Sequence, residues 1–328
     1  MEISNSQAPG SQQTGVRKVL IDAELAGQRI DNFLRRELPG VPKSRLYRIL
    51  RRGEVRVNGG RVRAEYRLLD GDEVRIPPAR INTGPAAAPP GRIANLEERI
   101  LFEDKRLLVI DKPSGMAVHG GSGISHGVIE LLREARPEIR DLSLVHRLDR
   151  ETSGCLVLAK RRSALRDLHE KFRNGTVEKN YLALVAGDWQ FGDHMVNAPL
   201  YVQHRKNGER HVVVKDGGKQ AKTKIRLSRT FGTFSLLQCQ PLTGRTHQIR
   251  VHALHMGHPI AGDERYGDAE INAAVKKHGL KRLFLHAQSI SFPDDSGNEA
   301  HFVAPLADDL ERFLSKGVKK LQKRSKRG

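Results

Sequence analysis

Between Pro77 and Asn95 the chain carries Pro77, Pro78, Pro85, Pro89 and Pro90 around an alanine-rich centre, with no apolar period. Proline fixes φ near −65° and has no backbone donor, so such a stretch favours extended, semi-stiff conformations. No single core runs through it. The 328 residues must therefore build a small unit before the break and a larger one after it. The divisions expected are a disordered leader over 1–16, rich in Ser, Gln and Gly, a first module over 17–79, a linker over 80–95, a large domain over 96–315 and a basic tail over 316–328.

In the first module, Ile30, Phe33, Leu34 and Leu38 recur at the spacing of an amphipathic helix that stops near Pro39-Gly40. Ser44 can cap a second helix whose apolar face is Leu46, Ile49 and Leu50, with Gly53 as its C-terminal stop. Strands follow. Glu54-Val55-Arg56-Val57 alternates and turns at Asn58-Gly59, a strong hairpin signal, and Gly71 to Ile76 supplies another strand. The second helix carries Lys43, Arg45, Arg48, Arg51 and Arg52 off its apolar face; they suit either an ordinary solvated surface or a phosphate backbone.

Charge narrows the partners. The formal net charge is +19, of which residues 17–79 contribute +6 and the tail from Lys316 a further +7. A polyanion, nucleic acid first, is the expected partner, and the tail is expected to stay disordered until it meets one. No apolar run approaches the ~18 residues of a membrane span, and the leader has no apolar core for a secretory signal. Cys155 and Cys239, both in strand-like stretches, give neither a disulfide framework nor a CxxC metal site, which fits the cytoplasm.

The large domain opens with the apolar run Leu107 to Ile110, which enters a turn at Lys112-Pro113-Ser114-Gly115. Gly123-x-Ser125-x-Gly127 matches a serine-hydrolase elbow, but Ala117 to Ser122 is no strand, and glycines here suit a mobile loop or close backbone approach instead. Next comes His146-Arg147-Leu148-Asp149-Arg150-Glu151-Thr152-Ser153-Gly154, a charged loop between Leu142–Val145 and the strand-like Cys155–Ala159. Taken locally it is either a surface turn with an Arg-Asp pair or a loop on rigid flanks presenting chemistry. Ala164, Leu165, Leu168 and Phe172 mark a helix ending near Asn174-Gly175, and Lys179 to Val185 reads as a strand. A strand ending at Pro241 leads through Gly244-Arg245-Thr246-His247-Gln248-Ile249-Arg250 into a helix closing at Gly257. His252, His255 and His258 have a metal-like spacing, but Gly257 and Pro259 break the helix that would align them, so no metal is expected.

The nine residues from His146 to Gly154 resemble the signature loop of the ribosomal RNA pseudouridine synthases of the large-subunit "A" superfamily. Lys112-Pro113-Ser114-Gly115, Lys179-Asn180-Tyr181, Gly244 to Arg250 and Leu285-His286-Ala287 match that family's other motifs in order. Arg29-Ile30-Asp31, Val41 to Arg45 and Gly53 to Gly59 resemble an S4-type RNA-binding domain. The combination is most similar to the C-type branch. The resemblance implies an α+β chain: a small N-terminal S4-type domain and a pseudouridine synthase domain whose mixed, mostly antiparallel central sheet is flanked by helices and loops. It implies Asp149 as nucleophile, Arg147 as the residue that helps displace the target base, Tyr181 against the uracil, and Arg245 paired with Asp149. Lys112, His247, Gln248 and Arg250 are expected at the substrate, and Leu285 in the wall of the base pocket. Lys43, Ser44, Arg45, Arg48, Arg51 and Arg52 are expected to dock RNA.

Isomerising uridine breaks the N1–C1′ bond, turns the base and rejoins it through C5, with no redox change and no group taken from solution. No cofactor is expected. An aspartate, with a reference pKa of about 3.9, supplies a carboxylate at neutral pH. Attack at C1′ and a glycal route both remain open, as do stacking and proton abstraction for Tyr181. The expected partner is 23S rRNA or a large-subunit assembly intermediate, acted on by a monomer. The alternative is an S4-containing RNA-binding or assembly factor with an inactive synthase domain.

Overall fold

A computed structural model describes residues 12–13, 15–38, 41–81, 90–120, 126–204, 210–318 and 321. The chain divides into two compact units, Met1–Pro89 and Pro90–Gly328.

In the first unit the helices Ile30–Glu37 and Lys43–Arg51 join a three-stranded antiparallel sheet ordered Arg17–Leu20, Glu73–Ile76, Arg56–Val57. The apolar faces meet as expected: Ile30, Phe33, Leu34, Leu46 and Leu50 are buried with Val74 and Ile76. Two buried carboxylates brace this small core. Asp31 accepts from Arg29 and the Tyr47 hydroxyl, and Asp72 from Asn58, Tyr66 and the Leu69 N–H. Two sequence expectations change. Asn58 and Gly59 do form a tight turn, with φ of 49° and 79°, closed by the Val57–Gly60 bridge, but the hairpin stops at that rung and Arg56–Val57 takes its strand pairing from Glu73–Ile76. Ser44 lies inside its helix, whose N-cap is Pro42; with no N–H of its own, proline suits a helix start, and no side-chain cap is made.

The second unit is built on a ten-stranded sheet. Its main path runs His194–Asn197, Lys222–Thr230, Phe234–Pro241, Glu178–Ala186, Leu285–Pro293, Ser153–Ala159, Leu107–Lys112, Ile100–Glu103. Every junction on this path is antiparallel except one. Leu285–Pro293 runs parallel to Ser153–Ala159, pairing His286 with Ser153 and Ala287 with Gly154. That junction is close: a Cβ on Gly154, at φ 110°, would lie 2.2 Å from the Ala287 carbonyl oxygen. Side chains lock it as well. Arg282 donates to Ser153 Oγ at 3.0 Å, Ser153 Oγ and His286 Nδ1 are 2.9 Å apart, and His286 Nε2 reaches the Ala304 carbonyl. The signature loop leaves the sheet at this parallel seam.

The helices Val128–Ala135, Arg162–Asn174, Gln248–His255 and Ala269–Lys277 flank the sheet, and Leu200–His204 with Arg210–Val214 forms a separate two-stranded ladder. This is the mixed, mostly antiparallel architecture expected. Ends and joins differ from the sequence reading. The stretch read as linker to Asn95 is helical from Pro90 to Glu97, proline being well placed at a helix start. Gln12-Gln13, read as leader, pairs with Arg80-Ile81. Of the tail read as disordered from Lys316, Lys316 and Gly317 close a helical turn over Phe313–Gly317 and Val318 is buried in the core, while 319–320 and 322–328 lie outside the described residues. Ser125 of the glycine-rich stretch lies outside the described residues. Cys155 and Cys239 are buried and free. Among the described residues no helix is long and apolar enough to cross a membrane.

Candidate active site

The loop from His146 is held from below by the Lys112-Pro113-Ser114-Gly115 turn. Lys112 is fully buried, and its ammonium donates to the carbonyls of Pro113, Met116 and Arg150 at 2.8, 2.8 and 3.1 Å. Burial pulls its pKa down to about 7, against the opposing pull of Glu151 and Asp149. The Gly115 N–H also donates to Arg150, and Ser114 Oγ to the Glu151 carbonyl. Lys112 therefore fixes the loop, and in place of its expected position at the substrate it lines neither of the two cavities around Asp149. On the other side Leu148 is buried, and His146 Nε2 accepts the Val157 N–H at 3.1 Å. Burial first, then the charge of Lys179, pushes His146 down to about 3, so it stays a neutral acceptor.

This pinning presents Asp149, half-buried, between a guanidinium and an imidazole. Arg250 Nη1 is 3.6 Å from Asp149 Oδ2, and His247 Nε2 is 3.9 Å from the same oxygen. Arg250 is itself clamped. Its Nε and Nη2 donate to the two oxygens of Asp263 at 2.7 Å each, and the guanidinium lies 4.9 Å from the Tyr266 ring centroid. Burial acts to raise the Asp263 carboxyl, but Arg250 and the N–H groups of Arg265 and Tyr266 outweigh it and hold it below the usual carboxylate range. The result is a carboxylate–guanidinium–carboxylate chain, Asp263–Arg250–Asp149.

His247 is positioned by the same turn. It caps the helix Gln248–His255 in the left-handed region, φ 54°, an uncommon and costly conformation for a side-chain-bearing residue. Its Nδ1 meets the Tyr266 hydroxyl at 2.7 Å, and that hydroxyl accepts the Val212 N–H at 3.0 Å. With the hydroxyl proton free for Nδ1, the imidazole proton sits on Nε2, facing Asp149. Burial, only partly offset by Asp149, pushes His247 down to about 4.

Two cavities meet at Arg147, Leu148, Asp149, His247 and Arg250. The smaller, about 300 Å³, also holds Tyr181, Leu285, Phe172 and Lys179. The larger, about 800 Å³, is lined by Arg150, Arg265, Lys281 and Arg282. The first is of a size for one base; the second, with six Arg and Lys against four Asp and Glu, is a groove with a basic excess. Tyr181 is pushed above its usual pKa by burial and by Asp149, so its phenol keeps its proton at neutral pH. Arg147 is exposed, with its side chain on both cavities.

Asp149, Tyr181, Leu285, Arg147, His247 and Arg250 are thus brought together. Arg245 is not the partner of Asp149. It lines the smaller cavity but is exposed, and its Nε donates to the Gln220 carbonyl at 3.0 Å, because the backbone reverses at His247 and turns Arg250 inward instead. Gln248 lines the smaller cavity, but its amide is engaged within the protein. It is buried, accepting from Thr243 Oγ1 and the Arg245 N–H and donating to the Lys222 carbonyl and Thr223 Oγ1, so both ends of its amide are spent on the protein. His252 likewise spends both ring nitrogens, on Thr223 and the Ala198 carbonyl. In the first unit Lys43, Ser44, Arg48, Arg51 and Arg52 are exposed and Arg45 half-buried. Sequence reasoning missed Asp263 and Tyr266. Their signal was present in Gly262-Asp263-Glu264-Arg265-Tyr266-Gly267, a charged turn bracketed by glycines after an apolar run.

Comparison with known proteins gives concordant matches. Residues 106–255 match the RNA pseudouridylate synthase family and residues 28–74 the S4 domain. The chain is 52% identical over 303 residues to ribosomal large subunit pseudouridine synthase C of Yersinia pestis, across 91% of this chain and 95% of that one. It is 52% identical over 307 residues to the protein of the same name from Escherichia coli (strain K12), across 92% and 96%. Among solved structures, human RNA pseudouridylate synthase domain containing 4 superposes with a TM-score of 0.58 at 28% identity, across 69% of this chain and 95% of that one.

Proposed function

The chain belongs to the RNA pseudouridylate synthase family, and from that premise we propose that it isomerises specific uridines of large-subunit ribosomal RNA to pseudouridine, with Asp149 at the reacting centre. The observation that carries this reading is the Asp149 carboxylate at the junction of a base-sized cavity and a basic groove, faced by Arg250 and His247. A base inside structured RNA must leave its stack to react, at a cost of about a few kcal/mol. Arg147, exposed on both cavities, fills the vacated place. The flipped uracil lies between Tyr181 and Leu285 in the smaller cavity while flanking nucleotides follow the groove. Asp149 acts on the ribose, by attack at C1′ or by taking the 2′ proton on a glycal path, and both routes need the carboxylate that Arg250 orients.

Tyr181 serves by stacking rather than as a base, since its phenol is held in the protonated form. His247 lines the substrate through Nε2, and Arg245 meets the RNA at the cavity mouth. The exposed Lys43, Ser44, Arg48, Arg51 and Arg52, with Arg45, dock rRNA through its phosphates. The substrate is 23S rRNA or a large-subunit assembly intermediate, the protein acts as a monomer in the cytoplasm, and the chemistry draws on no cofactor.

The test uses unmodified large-subunit rRNA carrying tritium at uracil C5, since rejoining through C5 expels that hydrogen. Wild type should release tritium to water, and Asp149→Ala should release at least ~10³-fold less while still binding the RNA. Tight RNA binding with no release by wild type, on free rRNA and on assembly intermediates alike, would leave an RNA-binding assembly factor as the better reading.

A further inference from the structure

The base-sized cavity contains a cation that no acid among the described residues answers. Lys179 stands two residues before Tyr181 on the strand Glu178–Ala186, and its half-buried side chain lines the same cavity as Asp149, Tyr181 and Leu285. Its Nζ lies 5.6 Å from the centroid of the Phe172 ring, which in turn stacks on His146 at 5.5 Å. Both supports are uncharged, His146 being held neutral by its burial. The Lys179 ammonium makes no hydrogen bond and no ion pair to any described residue. The other enclosed lysines behave differently: Lys112 spends its donors on three carbonyls, Lys160 pairs with Glu103, and Lys171 with Asp167. A partly desolvated ammonium without a counter-ion is costly, and the cost is recovered when an anion enters the site.

The reaction makes such an anion. When the N1–C1′ bond breaks, its electron pair stays with uracil and spreads over N1, O2 and O4. Forming the C5–C1′ bond draws a pair from the same ring, the C5 proton leaves, and N1 takes a proton, so atoms and electrons balance with nothing added. Between the two events the detached base is negatively charged. Asp149 cannot neutralise it, and the Tyr181 phenol offers one hydrogen bond at most. A backbone phosphate is the other anion available, but Lys179 faces the base-sized cavity and not the basic groove, whereas Arg147 and Arg250 line both.

We propose that Lys179 is a further catalytic residue, whose ammonium stabilises the negative charge on the carbonyl oxygens of the detached uracil. This rests on the isomerase reading above. The test compares the full-length wild type, Lys179→Met and Lys179→Arg on large-subunit rRNA transcripts made with 5-tritiated uridine or with 5-fluorouridine. Under saturating single-turnover conditions Lys179→Met should release tritium ~10²- to 10³-fold more slowly, the scale of one lost charge-stabilising donor, with RNA affinity within about twofold of wild type. Lys179→Arg should recover at least ~tenfold of that loss. Fluorine makes the base a better leaving anion. On 5-fluorouridine RNA, followed as consumption of 5-fluorouridine after nuclease digestion, the deficit of Lys179→Met relative to wild type should therefore shrink at least ~tenfold.

Weakened RNA binding with a flatter salt dependence and an unchanged saturated rate would overturn the proposal in favour of a phosphate contact. An equal deficit on both RNAs would overturn it in favour of packing against Phe172. If Lys179→Met fails to give a wild-type circular dichroism melt, Lys179→Gln carries the same comparison. A wild type that released no tritium would overturn the isomerase reading itself, an outcome distinct from any variant defect.

Discussion

Two arginines of one short motif, five residues apart, have opposite fates. Arg250 is buried between Asp263 and Asp149, while Arg245 points to the rim and leans on the Gln220 carbonyl. Arg250→Met should strand Asp263 as a buried carboxylate and cost about 3–5 kcal/mol of stability, and should slow tritium release by ~10² or more. Arg245→Met should melt within a degree or two of wild type and lose less than ~tenfold in saturated rate. Thermal melts and single-turnover rates on the two variants check both halves; equal rate losses would return Arg245 to the centre. Asp149, Tyr181, Arg147 and Leu285 were legible as a group because each lies in a short motif that resembles the family's, and all four line one cavity. The identity of the paired arginine was not. It depends on the left-handed turn at His247, where the chain reverses between the two, and a histidine gives no sign that it will adopt φ 54°. Asp263 was hidden for a related reason: its contact with Arg250 follows from how a helix and a distant turn pack, not from local spacing.

Among the elements, the one parallel junction of the main sheet path has the largest functional consequence. It sets Ser153 and Gly154 against His286 and Ala287, and so fixes the end of the loop that carries Asp149 and the strand that carries Leu285. Gly154 allows this twice over, by its positive φ and by the missing Cβ. Gly154→Ala should therefore cost about 3 kcal/mol or more and, in whatever fraction stays folded, reduce turnover by moving Asp149. A denaturant melt beside a rate per folded molecule measures it, and a wild-type value for both would contradict this account of the seam. The sequence announced the strands well, since buried apolar runs between turns are plain in Leu107–Ile110, Cys155–Ala159 and Phe234–Cys239. It did not announce their order or the parallel pairing, which depend on residues more than a hundred positions apart. Helix ends were read less well than helix faces. Pro42 and Pro90 both open helices where the sequence reading had placed a cap elsewhere or a linker, because proline that breaks a helix interior suits its first turn.

Over the whole molecule, charge and chemistry are separated along the chain. Residues 17–79 and the segment from Lys316 hold +13 of the net +19, whereas Asp149 and its partners belong to the second unit. Affinity for rRNA should accordingly be adjustable without touching the chemical step. Arg48→Glu combined with Arg51→Glu should weaken rRNA binding ~10- to 100-fold and flatten its salt dependence by about one to two counterions, with the saturated rate unchanged. Binding isotherms at several salt concentrations would show this, and an unchanged slope would remove the docking role. The two-unit division was legible from the prolines, as was the basic character from composition, whereas the burial of Val318 beyond the basic Lys316 was not. The central claim is that this scaffold exists to turn uridine into pseudouridine at the Asp149 carboxylate. The measurement that tests it most directly is mass spectrometry of nucleosides from large-subunit rRNA incubated with wild type or with Asp149→Asn, which keeps the shape and removes the charge. The account predicts that wild type gains one pseudouridine for each uridine lost, with no free uracil, and that Asp149→Asn gains none. Free uracil in place of pseudouridine, or equal pseudouridine from Asp149→Asn, would contradict it.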